Sequence, residues 1–439
     1  MNFKYKTLMS ALMIGLAGVS SVNATQPEMI NKSEKQAVVK AVGDLLKDNY
    51  VYPDKGLALK KQIDTAMENG DFAKVKDVRA FASALTTELR KVNNDRHIRV
   101  NFDPKLVKEI RELEEQGDED SMPSDYLEQL RMNNYGFKEV KVLPGNIGYL
   151  KLNQFVSADL AGETAVAAMN YLANSDALII DLTDNGGGSP SMIQLLTSYL
   201  FGSESVLLNS FYFRPEDETR QTWTLPHVQG KKLEDTPVYV LTSRRTFSAA
   251  EEFSYNLKHL ERATIVGETT GGGAHPGGTE VATDRFLVWI PSGRAINPIT
   301  GTNWEGTGVV PHIDTKRDKA FDIAYKNALE TLQTKGDKKD LYGWHIESLD
   351  SKLNPYQMPP EQLQKFAGQY GPRKLTLKDG SLYYQRGKGR EFKLTPLSAN
   401  KFIVDGLDYF RIQVVEEKGE IKGVKGLYDN GRSDFNAKS

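Results

Sequence analysis

Between Asn146 and about Leu332, short apolar runs alternate with amphipathic stretches, and this alternation constrains the fold more than any other feature of the chain. The runs lie at 147–150, 177–182, 238–242 and 263–267, and helical periodicity follows at 161–172, 191–200 and 248–260. Strand, helix, strand in series demands crossover connections, and hence a largely parallel sheet with helices on its faces. In such sheets ligands gather at the carboxyl ends of the strands. An α/β domain is expected over 141–335.

The flanks read differently. Val38, Val42, Leu45 and Leu46, then Phe81, Leu85 and Leu89, recur at three- and four-residue steps. Tyr50-Val-Tyr-Pro-Asp54 ends the first helix, because proline cannot continue one and restricts the residue before it. Residues 25–102 therefore read as a small helical module. Residues 103–140 are rich in charge, with Glu109, Arg111, Glu112, Glu114, Glu115 and Asp118-Glu-Asp120, and read as a solvated helical linker or lid. Beyond the polar stretch 335–340 the period becomes two. Leu375 and Leu377, then Leu382 and Tyr384, flank Asp379-Gly380, a strong hairpin signal. With further strands expected at 401–404, 409–415 and 421–427, residues 350–439 read as a small antiparallel β domain, a partly closed barrel.

The first residues look like an address. Lys4 and Lys6 precede an apolar run over 8–19, and Val22-Asn-Ala24 offers the small residues of a cleavage site. A signal peptide over 1–24, cleaved near Ala24, predicts a periplasmic or extracellular protein. The run is shorter than the about 18 apolar residues a span wants, and no later segment is longer, so no membrane insertion is expected once the signal is removed. With no cysteine in the chain, disulfides, thiolate nucleophiles, Cys-based metal sites and a lipobox are excluded. A core of this size needs no such staples. The 56 basic and 58 acidic residues leave a net charge of -2 with no basic face, so nucleic acid is not expected as a partner.

Chemistry is concentrated in a few stretches. Ser248, in Thr246-Phe-Ser-Ala-Ala-Glu-Glu252, follows a strand and opens a helix. There the helix dipole favours developing negative charge, and the N–H of Ala249 is free to meet an oxyanion. Ser248-Ala-Ala-Glu251 is equally a capping box, a common helix start with no chemistry. Asp181-Leu-Thr-Asp-Asn-Gly-Gly-Gly188 lacks the lysine of a P-loop. It is either a plain turn or an oxyanion loop whose three glycines, 186–188, present bare N–H groups. A serine needs a base, and the chain has six histidines. His97 closes the helical module, His259 lies three turns along the Ser248 helix, and His275 shares with Gly272 and Gly273 a glycine-rich loop suited to gripping substrate. No metal-binding spacing is present, so no metal and no cofactor is expected. Glu305, beside Trp304 and among glycines, sits where a carboxylate can orient a histidine.

In this order the motifs resemble one family. Asp-x-His at 95–97, Asp-x-x-x-Asn-Gly-Gly-Gly at 181–188, Thr-x-Ser-Ala-Ala-Glu at 246–251, Gly-Glu-Thr-Thr-Gly-Gly-Gly-Ala-His-Pro at 267–276 and Trp-Glu-Gly-x-Gly-Val-Val-Pro at 304–311 look like the S41 peptidases, the tail-specific or C-terminal processing proteases. The resemblance covers about residues 34–314 and is greatest to the branch with tricorn core protease and the retinoid-binding protein repeats. It implies a crotonase/ClpP-like spiral α/β core and a serine endopeptidase. It also implies Ser248 as nucleophile, His97 as base, Glu305 completing the charge network, and Gly187 (or Gly186) with Ala249 as oxyanion hole. Many relatives use a lysine base, but no lysine lies between Lys258 and Arg285. The position before His97, a serine in tricorn, is Arg96, which leaves the link from Glu305 to His97 open: direct, through Asp95, or through water. The expected partner is a peptide or protein substrate. Other acyl bonds are within reach of the same residues, and relatives that bind hydrophobic ligands or peptides without hydrolysis are the rival reading.

Overall fold

The computed structural model describes residues 28–117, 122–335 and 339–439; the expected signal peptide lies outside them. Residues up to Val142 together with Gly148–Asp318 form one compact unit, and Leu143–Ile147 with Lys319–Ser439 form another.

In the first unit a six-stranded sheet runs in the order Ile313–Asp314, Thr264–Gly267, Val238–Thr242, Ala177–Asp181, Ile147–Leu152, Phe137–Leu143. The first four are mutually parallel. Every residue of Ala177–Asp181 and Val238–Thr242 is buried, as strands covered on both faces must be. The helices Ala158–Tyr171, Pro190–Ser198 and Ala249–His259 supply apolar faces such as Ala165, Ile193 and Phe253 to a core shared with Leu178, Ile180 and Val240. Truncating one of the larger of these side chains costs about 3–5 kcal/mol. The parallel α/β arrangement expected from the alternating runs is what forms.

Three further helices, Lys32–Asn49, Pro53–Glu68 and Val78–Asn93, precede this sheet. Asn31 and Asp77 cap the first and third through their side-chain oxygens. Their core does not close on itself. Phe81, Leu85 and Leu89 pack with Phe286, Val288 and Ile290 from the strand Phe286–Pro291, which lies between Arg99–Phe102 and Gly277–Val281 in an antiparallel three-stranded sheet. A second small sheet orders Gly293–Ile296, Leu207–Phe213 and Glu218–Trp223. None of these six strands was predicted. The segment read as a solvated linker holds the helices Pro104–Glu115 and Ser124–Met132, and it is not wholly solvated, since Val107 and Ile110 pack on Leu287.

The second unit carries an eight-stranded antiparallel meander in sequence order from Gly368–Tyr370 to Ser433–Ala437. A bridge from Tyr370 to Lys438 and the Ser439 N–H donating to Gln369 O join its ends, so the sheet curls nearly into a barrel. Asp379 and Gly380, both at positive φ, form the two-residue hairpin turn between Lys378 and Ser381. Among the described residues no helix is long and apolar enough to cross a membrane.

Candidate active site

Adjacent parallel strands bring two distant motifs together. Ala177–Asp181 and Val238–Thr242 end side by side, and their loops are tied by side-chain bonds. Thr246 Oγ1 donates to Leu182 O at 2.8 Å and Ser243 Oγ to Thr183 O at 2.6 Å. The buried Asn185 donates to Leu152 O and accepts the Gly187 N–H, both at 2.9 Å, while its carbonyl accepts the Phe247 N–H at 3.0 Å. The glycine loop is thereby pressed against the Ser248 turn. Gly187 has φ 111°, and a Cβ there would lie 2.8 Å from that of Ser248, so only glycine permits the approach.

Ser248 itself has φ 54° and ψ -122°, a conformation that costs a non-glycine residue about 1–3 kcal/mol and persists only where the surroundings over-determine it. The surroundings are visible. The capping box forms, with the Glu251 carboxylate accepting the Ser248 N–H at 2.9 Å. The serine hydroxyl lies 3.1 Å from Nε2 of His97. The cap and the serine–histidine pair therefore coexist at one residue.

His97 arrives from the other end of the unit. Asn94, left-handed at φ 52°, ends the helix Val78–Asn93 and turns the chain into Asp95-Arg96-His97. The following strand, Arg99–Phe102, then pairs with Phe286–Pro291. Burial holds the His97 imidazole down to about 4, so it is neutral at neutral pH and Nε2 is free to accept a proton. Among the described residues its Nδ1 has no hydrogen-bond partner; Asp95 Oδ1 lies 3.7 Å away and also accepts the His97 backbone N–H at 3.0 Å.

The link from Glu305 to His97, which the sequence leaves open, is not a direct contact. The carboxylate beside His97 is that of Asp95, and Glu305 stands one side chain further out, 3.5 Å from His275 Nδ1 and accepting the Ala274 N–H at 2.6 Å. Asp95 Oδ2 takes the Tyr50 hydroxyl at 3.0 Å and His275 Nδ1 at 2.9 Å. Burial alone would raise Asp95, but the bond from His275 and the two imidazoles outweigh it and hold the carboxyl below its usual range. The same contact and the Glu305 charge raise His275 against its burial. Burial and the Asp95 charge push Glu305 up to about 7.

The glycine-rich loop makes contacts of its own around the base. His275 is buried, packed edge-on against Tyr52, and faces Asp95 and not an open cleft. The N–H groups of Gly272 and Gly273 donate to Glu251 at 2.6 and 2.8 Å, beside Thr270 Oγ1 at 2.5 Å. A carboxylate buried this deeply collects every donor within reach, and even so burial raises Glu251 to about 7. Gly273 is required sterically, because a Cβ there would meet Phe247 at 2.2 Å and His97 Cε1 at 2.7 Å. Donor atoms of Asp95, His275 and Glu305 lie within 4.8 Å of one another. No sequence spacing announces that cluster, which forms only when the chain folds.

A cavity of about 260 Å³ opens beside the serine, and His97, Ser248, Ala249, Gly188 and Gly273 line it. Phe211, Phe213, Trp289, Trp304 and Glu252 are also in its lining. Of the candidate oxyanion donors, Gly187 gives its N–H to Asn185 and Ala249 borders the cavity, as does Gly188, which the resemblance does not name as a donor. His259 stacks on Tyr255 at 4.2 Å. Reading the chain missed Tyr50, which no local pattern marks, and Glu251 beyond its role as a cap. Asp95 was marked only by standing two residues before His97.

Residues 146–315 match the profile of peptidase family S41, and residues 29–137 match that of the N-terminal domain of peptidase S41 in eukaryotic IRBP. A carboxyl-terminal-processing protease of Synechocystis sp. (strain ATCC 27184 / PCC 6803 / Kazusa) is 34% identical over 134 residues, 29% of each chain. The chain thus matches less than a third of that relative's length. Among solved structures, a candidate peptidase from Parabacteroides merdae aligns at TM-score 0.47 and 19% identity, over 67% of this chain and 96% of that one. The tricorn protease aligns at TM-score 0.43 and 14% identity, over 68% of this chain and 37% of that one.

Proposed function

The chain belongs to peptidase family S41, and from that premise we propose that it is a serine peptidase, exported from the cell, in which Ser248 is the nucleophile and His97 its base. The observation that carries this reading is the 3.1 Å approach of His97 Nε2 to Ser248 Oγ across 151 residues of sequence. Neutral His97 takes the hydroxyl proton as Ser248 attacks a peptide carbonyl, and returns it to the leaving amine. Asp95 is the carboxylate that orients the imidazole and steadies its charge, with Tyr50 and His275 holding Asp95 and Glu305 acting at one remove. The Ala249 N–H at the helix start, with an N–H of the loop Gly186–Gly188, receives the oxyanion. Water then releases the acyl group by the same base. Residues 141–335 would form the catalytic domain, and 25–102 would supply the histidine.

Export rests on the charged start, the apolar run and Val22-Asn-Ala24. The test of the nucleophile is one substitution. Ser248→Ala is expected to abolish labelling by a fluorophosphonate and to lower peptide turnover by about 10³-fold or more. A mere helix cap would cost about 1 kcal/mol of stability and leave turnover intact, whereas a binding protein would show neither turnover nor labelling in the wild type.

A further inference from the structure

Glu252 is a buried carboxyl group that the catalytic reading does not use. Its N–H donates to Ser248 O at 2.9 Å, one helical turn on, so the two side chains share a face of the helix Ala249–His259. It is 3% exposed and yet lines the cavity beside the serine. Among the described residues its Oε1, itself enclosed, has no hydrogen-bond partner, and no cation forms an ion pair with the carboxyl. Four aromatic residues, Phe211, Phe213, Trp289 and Trp304, share the lining with it. Arg220, also in the lining, is engaged elsewhere, bonded to Glu218 at 2.8 and 3.0 Å and stacked over Phe213.

We propose, resting on the reading of Ser248 as nucleophile, that this cavity takes the side chain of the residue whose carbonyl is attacked, and that Glu252 makes it select a basic one, lysine or arginine. Such a side chain has two parts, an apolar stem and a cationic head. The stem matches Phe211, Phe213 and Trp304, whose ring faces also favour a passing cation. The head meets the Glu252 carboxylate. A buried carboxylate without a partner is costly, and an incoming cation relieves that cost where an apolar guest seals it in. The neighbouring amides suit the ionised form. Asn209 and Asn256 are fully buried, and their side-chain amides reach the Glu252 carboxyl. Burial pushes the empty-site carboxyl up to about 8, and these two amides pull the other way. The cavity, about 260 Å³, has room for a four-carbon stem.

The test uses three probes on the whole protein: a small fluorophosphonate with no side chain, and two peptidyl diphenyl phosphonates that differ only in carrying a lysine-like or a norleucine-like side chain. The basic phosphonate is expected to label wild type at least about tenfold faster than the apolar one. In Glu252→Gln, which keeps the size of the side chain, the ratio of the two rates within that one protein is expected to fall to about one. An equal or faster rate with the norleucine probe on wild type, while the fluorophosphonate labels normally, overturns the selection and leaves the nucleophile standing. A ratio that survives in Glu252→Gln also overturns it. If the fluorophosphonate fails on wild type, the nucleophile reading falls and this one with it. The wild-type ratio decides the matter even where the variant does not fold.

Discussion

Nδ1 of His275 lies 2.9 Å from Oδ2 of Asp95, and the other oxygen of that carboxylate accepts the backbone N–H of His97. One buried carboxylate therefore spans two histidines that are 178 residues apart in sequence. The route from Glu305 to His97 runs through both, and only Asp95 is adjacent to the imidazole that meets Ser248.

That order gives the two acids unequal weight. Asp95→Asn removes the charge next to His97 and turns a donor towards Tyr50 or His275, which themselves donate. The rate of Ser248 acylation is expected to fall by about 10²–10⁴-fold. Glu305→Gln leaves Asp95 in place and is expected to cost no more than about tenfold. Measuring acylation of both variants with one peptide ester decides the assignment, and the reverse ranking would restore Glu305 as the carboxylate of the base.

What was legible in the sequence was local. The parallel strands appeared as apolar runs, the hairpin at Asp379-Gly380 as a turn needing positive φ, and Ser248 as a helix start because its cap partner Glu251 is three residues away. His97 and Glu305 were reached through a resemblance. The rest depends on pairing between remote segments. Arg99–Phe102 and Gly277–Val281 flank one strand, Phe286–Pro291, so the loops before them, carrying His97 and His275, emerge at the same end. No window of sequence contains that register. Tyr50 was legible only as part of a helix break, and its bond to Asp95 exists only once the first and third helices are packed. Phe211 and Phe213 lie on a strand whose burial does not alternate cleanly, so period two does not reveal it.

The burial of His97 makes a pH prediction with a definite sign. Its imidazole is lowered from 6.5 to about 4, so between those values the unfolded chain binds a proton that the folded protein refuses. Stability from this group is intact above 6.5, declines as pH falls towards 4 and levels off below it, a total of about 3 kcal/mol. The base is meanwhile neutral wherever the pH exceeds about 4. The acid limb of kcat/KM for a peptide ester is accordingly expected near pH 4–5. A limb at 6.5–7 would place His97 in water and not in the packed site described.

Gly273 tests the packing around the base. A methyl group added there meets Phe247 and His97 Cε1 far inside van der Waals contact, and Phe247 and His97 already stack at 4.6 Å between centroids. Gly273→Ala is expected to displace the imidazole and reduce fluorophosphonate labelling by about 100-fold. Pairing it with Phe247→Ala, which opens the space, is expected to recover part of that loss. Labelling of the single variant at the wild-type rate would show that the loop yields and the histidine does not.

Glu251 carries the last prediction, because it links the serine turn to the glycine-rich loop through four donors: the N–H groups of Ser248, Gly272 and Gly273 and the hydroxyl of Thr270. Glu251→Gln keeps one acceptor oxygen and replaces the other with an amide that faces backbone donors. Each buried donor left unsatisfied costs about 1–3 kcal/mol, so two of them are expected to lower Tm by about 4 °C or more, given about 2–4 °C per kcal/mol in a unit of this size. The loss should not be thermal alone. With Gly272 and Gly273 released, the wall against which His97 packs loosens, and labelling of Ser248 is expected to fall at temperatures where the variant is still folded by circular dichroism. A variant within about 2 °C of wild type and labelled at its rate would mean that the strained turn at Ser248 is held by Asn185 and the strand ends without Glu251.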